Sequence, residues 1–340
     1  MTRHPSRRRL ARSAFYAATA AVVAWAAFVV PLPLVEYEPG TATSIRPLIE
    51  LDGVEVTELD GDTRLLTVVP RQRTTTSALG AALDRDRVLL GYEEVFPPDI
   101  DREERRLLER ERFARQFDVA VAVGAAATGV EVELVTEVVV VQVLPGSPAD
   151  GVLAVGDVVE AVDDAPLASA EELQAITRAS TVGDTLRLTI RHAGQARDVD
   201  VTVTAFGGVA APRLGIAIQT AVDEARLPFD VSLTEGTRIG GPSAGLMIAL
   251  TMVDLLSDEN LLDGRLVVGT GTIDADGRVG AVGGVPEKLR EAAAVGADLV
   301  LVPAAQLPQL DGRVPEGLEV VGVNHLDEAL AVLRASDPPA

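Results

Sequence analysis

The 340-residue chain contains no cysteine, which excludes disulfides, thiolate zinc sites, iron–sulfur clusters and cysteine nucleophiles. Its three histidines, His4, His192 and His325, are widely spaced and form no HExxH or other metal-binding motif, so neither a metal nor a cofactor is expected. Aromatic residues are only 3% of the chain, and a core must be built from Val, Leu and Ala. Lysine is almost missing: of 30 basic residues only Lys288 is lysine. Leu289 follows it, so no GxxxxGK[ST] phosphate-binding loop exists and ATP is not expected as a ligand. Positive charge is scarce as well, with 30 basic against 51 acidic residues and a net charge of −21. A nucleic-acid binder needs a basic face to replace counterions, so none is expected here.

What is present begins with a basic tail free of acids. Residues 1–12 carry Arg3, Arg7, Arg8, Arg9 and Arg12, and Ser13–Val35 then runs 23 residues without a charge. At about 1.5 Å per helical residue, this run predicts a transmembrane helix over 13–35, spanning a hydrocarbon core of about 30 Å. The arginines ahead of it, set against Glu36 and Glu38 behind it, predict an N-terminus inside and everything after Val35 outside the cytoplasm. A cleaved signal peptide is the rival, but its apolar core is usually only about 7–15 residues. Beyond the tail, 25 basic residues face 51 acidic ones. That balance keeps a domain soluble and repels anionic headgroups, which suits a globule tethered to the cytoplasmic membrane by one helix.

Residues 36–95 read as short strands (Ile45–Leu51, Val54–Leu59, Arg64–Val69) divided by Asp-Gly turns, with a short helix at Thr76–Leu83. Asp99–Phe117 reads as a charged helix with a solvated face, so 96–129 is expected to be a helical connector. Residues 130–205 are more distinctive. A strand at Val138–Val143 leads into PGSPADG (145–151), VLAVGDVVEAVDD (152–164), a helix at Ser169–Ala179 and strands at Thr185–His192 and Asp198–Thr204. This text resembles a PDZ domain of the bacterial protease-associated type. The resemblance implies a β-rich fold whose groove takes a peptide segment as an added strand beside a helix. No GLGF-like carboxylate-binding loop stands before Val138, where the chain reads Gly129-Val130-Glu131.

After a linker near 205–213, residues 206–335 alternate strand and helix in the manner of an α/β layer, and 336–340 form a short tail. Leu214–Thr220 and Phe229–Thr234 read as strands, followed by GGPSAG (240–245) and an apolar run from Leu246 to Leu256. This predicts a buried helix with Ser243 at its first turn, near unpaired amides and the positive end of the helix dipole. Those features suit either a nucleophile or a simple capping serine. Further on, a strand over Leu266–Ile273 contains Thr270, and Pro286 starts a helix with Lys288 in its first turn. An ammonium at a helix N-terminus is disfavoured, and burial lowers its pKa further. The result is a neutral amine, the group a serine needs as general base when no histidine is at hand. Arginine serves everywhere else in the chain and cannot act as a base.

GGPSAG, TGTID…GRVGAVGGV and PEKLREAAAVGAD together resemble the proteolytic domain of the Lon family over roughly 214–335. That resemblance implies a Ser–Lys dyad of Ser243 and Lys288, with Thr270 holding the amine and the backbone N–H groups of Gly240 and Ser243 as oxyanion donors. The family usually has Asp at the Gly240 position and Glu at the Thr272 position. The whole layout is similar to membrane-anchored bacterial PDZ-Lon serine proteases that lack an ATPase. It implies that 36–95 packs with 206–335 and that the PDZ domain is an insertion. It further implies endopeptidase activity outside the cytoplasm on unfolded or PDZ-delivered protein substrates, and a homo-oligomeric ring. Two other readings stand beside it. One is an inactive PDZ scaffold of the cell envelope. The other is a Ser–His–Asp triad using His325, with Asp327 close by, or His192.

Overall fold

The computed structural model describes residues 7–57, 60–83, 88–96, 102–192, 194–205, 211–234, 236–237 and 239–335. Residues 1–6 of the basic tail, the start of the charged helix at 99–101, most of the 205–213 linker and the 336–340 tail lie outside them. The apolar run 13–35 does not form one helix. Helix α1 covers Arg7–Val29, and Pro31–Ser44 is strand β1. The reason is local: Pro31 and Pro33 lack the N–H that would continue the helix. No helix among the described residues is long and apolar enough to cross a membrane.

Strand β2 (Ile49–Asp52) and the long strand β3 (Asp62–Thr74) follow, then α2 (Thr75–Leu83), β4 (Leu89–Gly91) and the one-turn α3 (Tyr92–Val95). Helix α4 (Arg102–Ala127) corrects the connector expectation. Its first half is charged, but Phe113, Phe117, Ala120, Val121 and Ala125 are buried in the main core. At Gly124 a Cβ would lie 2.5 Å from the Ala249 carbonyl oxygen, so only glycine allows the approach of the two backbones. A solvated helix thus becomes a core helix within one element.

The inserted sheet holds β5 (Glu133–Val143), β6 (Val158–Val162), β7 (Ala165–Pro166), β8 (Thr185–His192) and β9 (Gln195–Thr202). Helix α5 (Ala170–Ala179) is capped by the Ser169 hydroxyl, which accepts from the Glu172 amide. Two short strands, β10 (Thr204–Ala205) and β11 (Pro212–Arg213), pair with each other. The strand order of this sheet is β12-β5-β6-β8-β9, and β7 pairs with β6. The edge member is β12 (Ile216–Arg226), which runs antiparallel to β5 from Ile216 opposite Val143 to Arg226 opposite Glu133. The inserted domain is therefore not confined to 130–205. Leu214–Thr220, read from sequence as part of the α/β layer, closes its sheet, because Leu214, Ile216 and Ile218 bury on the same core as Val138, Val140 and Leu173.

Strand β13 (Asp230–Leu233) returns the chain to the main body by pairing with β2. There follow α6 (Gly245–Leu256), β14 (Leu266–Gly269), β15 (Thr272–Ile273), β16 (Val279–Gly280), α7 (Val285–Ala294), β17 (Leu299–Pro303), β18 (Val320–Val323) and α8 (Leu326–Ala335). The main sheet has the order β18-β17-β14-β3-β1-β4, so strands from both ends of the chain share it. Alternation along the strands builds two layers. Leu65, Val267 and Leu301 face α4, α6 and α8, whereas Leu66, Val268, Val300 and Val302 face Val285, Leu289 and Ala292 of α7.

Candidate active site

The site forms where α6 and α7 approach the end of β14. Helix α6 is apolar except for Thr251 and for Asp254, which pairs with Arg46 at 2.7 Å, and its residues Gly245–Leu255 are buried. Ser243 lies two residues before the helix, not in its first turn. Ala244 is the N-cap and supplies no side-chain cap. Ser243 therefore is not a capping serine. Its hydroxyl makes no hydrogen bond among the described residues. The amides of Gly240, Ser243 and Ala244 likewise donate to no acceptor among them, whereas the Gly241 amide donates to the Glu109 carbonyl at 3.2 Å. Free amides beside an unengaged hydroxyl are the donors that a developing oxyanion requires.

Helix α7 starts from Gly284, whose φ of +68° and contact with Val68 demand glycine. Pro286 sits in the first turn, and the Lys288 amide donates back to the Gly284 carbonyl at 3.1 Å. This turn points Lys288 inward. It is only 2% exposed and ranks among the largest fully buried side chains. Burial lowers its pKa from 10.5 to about 8, since no water stabilises the ammonium.

Lys288 Nζ donates to Thr270 Oγ1 at 2.7 Å. Thr270 Oγ1 donates to the Ser243 carbonyl at 3.1 Å, and the Gly271 amide donates to the same oxygen at 3.0 Å. The break of the predicted Leu266–Ile273 strand at Thr270-Gly271 makes these bonds possible. Among the described residues, the amine's one side-chain partner is Thr270, and its link to Ser243 runs through the serine's carbonyl. A neutral amine donating one hydrogen to Thr270 keeps a lone pair for a second contact.

Several contributors to this site carry no sequence signal. Gln116 of α4 is buried and donates to the Ile273 carbonyl at 2.8 Å, fixing β15 after Thr270. Burial and the charges of Glu109 and Glu287 push the Tyr37 hydroxyl up. The carboxyl of Glu287, beside Lys288, is also pushed up by burial. A cavity of about 470 Å³ is lined by Pro242, Thr272, Gln116 and Gln219, with Arg112, Arg115 and Arg278 on its wall; Pro242 and Thr272 are the chain neighbours of Ser243 and Gly271 that reach it. Neither histidine joins the site. His192 pairs with the buried Asp157 in the inserted domain, and His325 Nε2 bonds the Asp276 carbonyl at 2.6 Å. The Ser–His–Asp reading is thereby overturned. Among the described residues no His/Asp/Glu cluster could hold a metal ion.

Comparison with known proteins also finds two domains, with the boundary drawn before β12 rather than after it. Residues 121–203 match the PDZ domain family and 216–335 the Lon protease (S16) C-terminal proteolytic domain. A Lon protease of Clostridioides difficile is 40% identical over 102 residues, covering 28% of this chain and 13% of that protein. One from Azorhizobium caulinodans is 38% identical over 119 residues, covering 33% of this chain and 14% of the other. The DNA repair protein RadA of Escherichia coli is 33% identical over 102 residues, covering 30% and 21%. The chain thus spans 13–21% of the length of these relatives. Sequence, fold and family matches agree that the chain carries a PDZ domain and a Lon-type C-terminal proteolytic domain, arranged as a mixed α/β body with a β-rich insertion.

Proposed function

We propose that the protein is a serine endopeptidase acting through Ser243 and Lys288. The observation that carries the reading is the buried lysine, held by Thr270 at 2.7 Å on the same bond path that fixes the Ser243 backbone. A turn of the serine side chain toward the amine brings its proton to Lys288, and resting sites are commonly looser than reacting ones. Ser243 Oγ then attacks a peptide carbonyl, the amide N–H groups of Ser243 and Gly240 hold the oxyanion, and Lys288 returns the proton to the leaving amine. Extended or unfolded protein segments suit the 470 Å³ cavity, and PDZ grooves accept such segments as added strands.

The proposed location is the outer side of the cytoplasmic membrane, with the basic tail inside. Phe15, Tyr16, Val22, Trp25 and Phe28 of α1 are all more than 60% exposed, an apolar surface that a bilayer would cover. A homo-oligomeric ring and ATP-independent action complete the proposal by analogy with the resembling proteases. The full-length wild-type chain is expected to cleave an unfolded casein-type substrate, with Ser243→Ala and Lys288→Met slower by at least 10³-fold. Equal cleavage by Ser243→Ala sinks the reading. The second reading, a non-catalytic PDZ scaffold, is favoured by the unengaged Ser243 hydroxyl and by a relative named for DNA repair. Labelling of Ser243 by a fluorophosphonate excludes it.

A further inference from the structure

One face of helix α4 looks onto a space between the two domains. Arg112, Arg115, Gln116 and Val119 follow at positions i, i+3, i+4 and i+7, so all four share that face. Each of them lines the 470 Å³ cavity. Gln219 and Val222 of β12, from the inserted domain, form another side, and Arg278, from the turn between β15 and β16, a third. Both domains therefore build this cavity. Ser243, Lys288 and Thr270 do not line it; it flanks them, reached through Pro242 and Thr272.

The charge on its wall runs against the rest of the molecule. The chain carries −21 overall, yet three guanidiniums line the cavity against one carboxylate, that of Asp274. That carboxylate is already engaged, since its Oδ1 accepts from the Asp276 and Arg278 amides at 3.0 and 2.8 Å. Arg278 pairs with Asp276, and Arg112 with Glu109 at 3.5 Å, but both pairs are exposed and weak. Arg115 makes no ion pair or hydrogen bond among the described residues. Like charges one turn apart on a helix repel unless an anion lies between them.

Guanidiniums bind carboxylates through paired N–H groups, at short range and in a defined geometry. A long polyanion such as a nucleic acid would meet the acidic surface around the cavity and be repelled. A short run of carboxylates confined to the cavity escapes most of that field, which decays within about 8 Å at physiological salt. Resting on the peptidase reading, we infer that this cavity is a subsite for acidic side chains of the protein substrate. Pro242 adjoins Ser243, so the acids flank the scissile bond, about two to four residues from it at about 3.4 Å per residue. The substrate class is unfolded segments with clustered Asp or Glu beside the cut.

The test uses the full-length chain. In the Ser243→Ala protein, fluorescence anisotropy compares two C-terminally amidated peptides, one with an Asp pair and one with an Asn pair in its place. Amidation removes the terminal carboxylate, so only the paired side chains differ. The Asp peptide is expected to bind at least tenfold more tightly. Arg112→Gln with Arg115→Gln should bring that ratio below twofold, and Arg115→Glu should favour a peptide with an Arg pair instead. In the wild type, cuts in an unfolded casein-type substrate should be enriched in Asp and Glu within about four residues of the cut bond. The double substitution should erase that enrichment. Equal binding of the two peptides, or a ratio that survives the double substitution, overturns the inference. So does inorganic polyphosphate that binds through the same arginines more tightly than the Asp peptide. Acid-dependent binding without any cleavage leaves the subsite standing and removes the peptidase. Cleavage with no acidic enrichment does the reverse.

Discussion

At the scale of single residues, the chemistry rests on an amine forced out of water. Lys288 titrates near 10.5 when unfolded and about 8 when folded. Between these values the unfolded chain binds more protons, so stability rises with pH from about 8 to about 10.5, and burial costs stability below that window. At about 1.4 kcal/mol per pH unit, the full cost is about 3 kcal/mol, offset in part by the Thr270 bond. Lys288→Met is therefore expected to raise the unfolding free energy at pH 7 by about 2 kcal/mol, in urea titrations, and to lose that gain near pH 11. A variant less stable than wild type at pH 7 contradicts the burial argument. The lysine was legible because no other lysine exists to dilute the signal. Gln116, Tyr37 and Glu109 were not, because their roles arise from long-range packing of α4 and β1 against the site.

At the scale of elements, composition misled wherever one segment served two surroundings. The charge-rich start of α4 suggests a solvated helix, but the Ala- and Val-rich continuation packs on α6. The run 13–35 reads as one span by length, yet two prolines divide it between α1 and β1. The exposed apolar surface of α1 gives the membrane proposal its test. Full-length protein is expected to stay in the membrane fraction through a carbonate wash. Val22→Asp with Trp25→Asp, at about 3 kcal/mol per buried charge, should release it. Wild-type protein found in the soluble fraction sinks the tether. Strand β12 was legible as a strand but not as a PDZ strand, since its partner β5 lies about 80 residues upstream and only register reveals the pairing.

At the scale of the whole molecule, the main sheet joins strands from 31–91 with strands from 266–323, and after β12 closes the inserted sheet β13 pairs with β2 in a separate two-stranded sheet. Motifs at the turns made the proteolytic and PDZ domains readable; the sharing of a strand between them appears only in three dimensions. The same composition that leaves a single lysine makes the central claim directly measurable. In protein labelled with 15N at lysine Nζ, one resonance reports Lys288 alone. Its titration is predicted to show a midpoint near 8, shifted when Ser243 is acylated. A midpoint near 10.4, the ordinary value for a solvated lysine, contradicts the account.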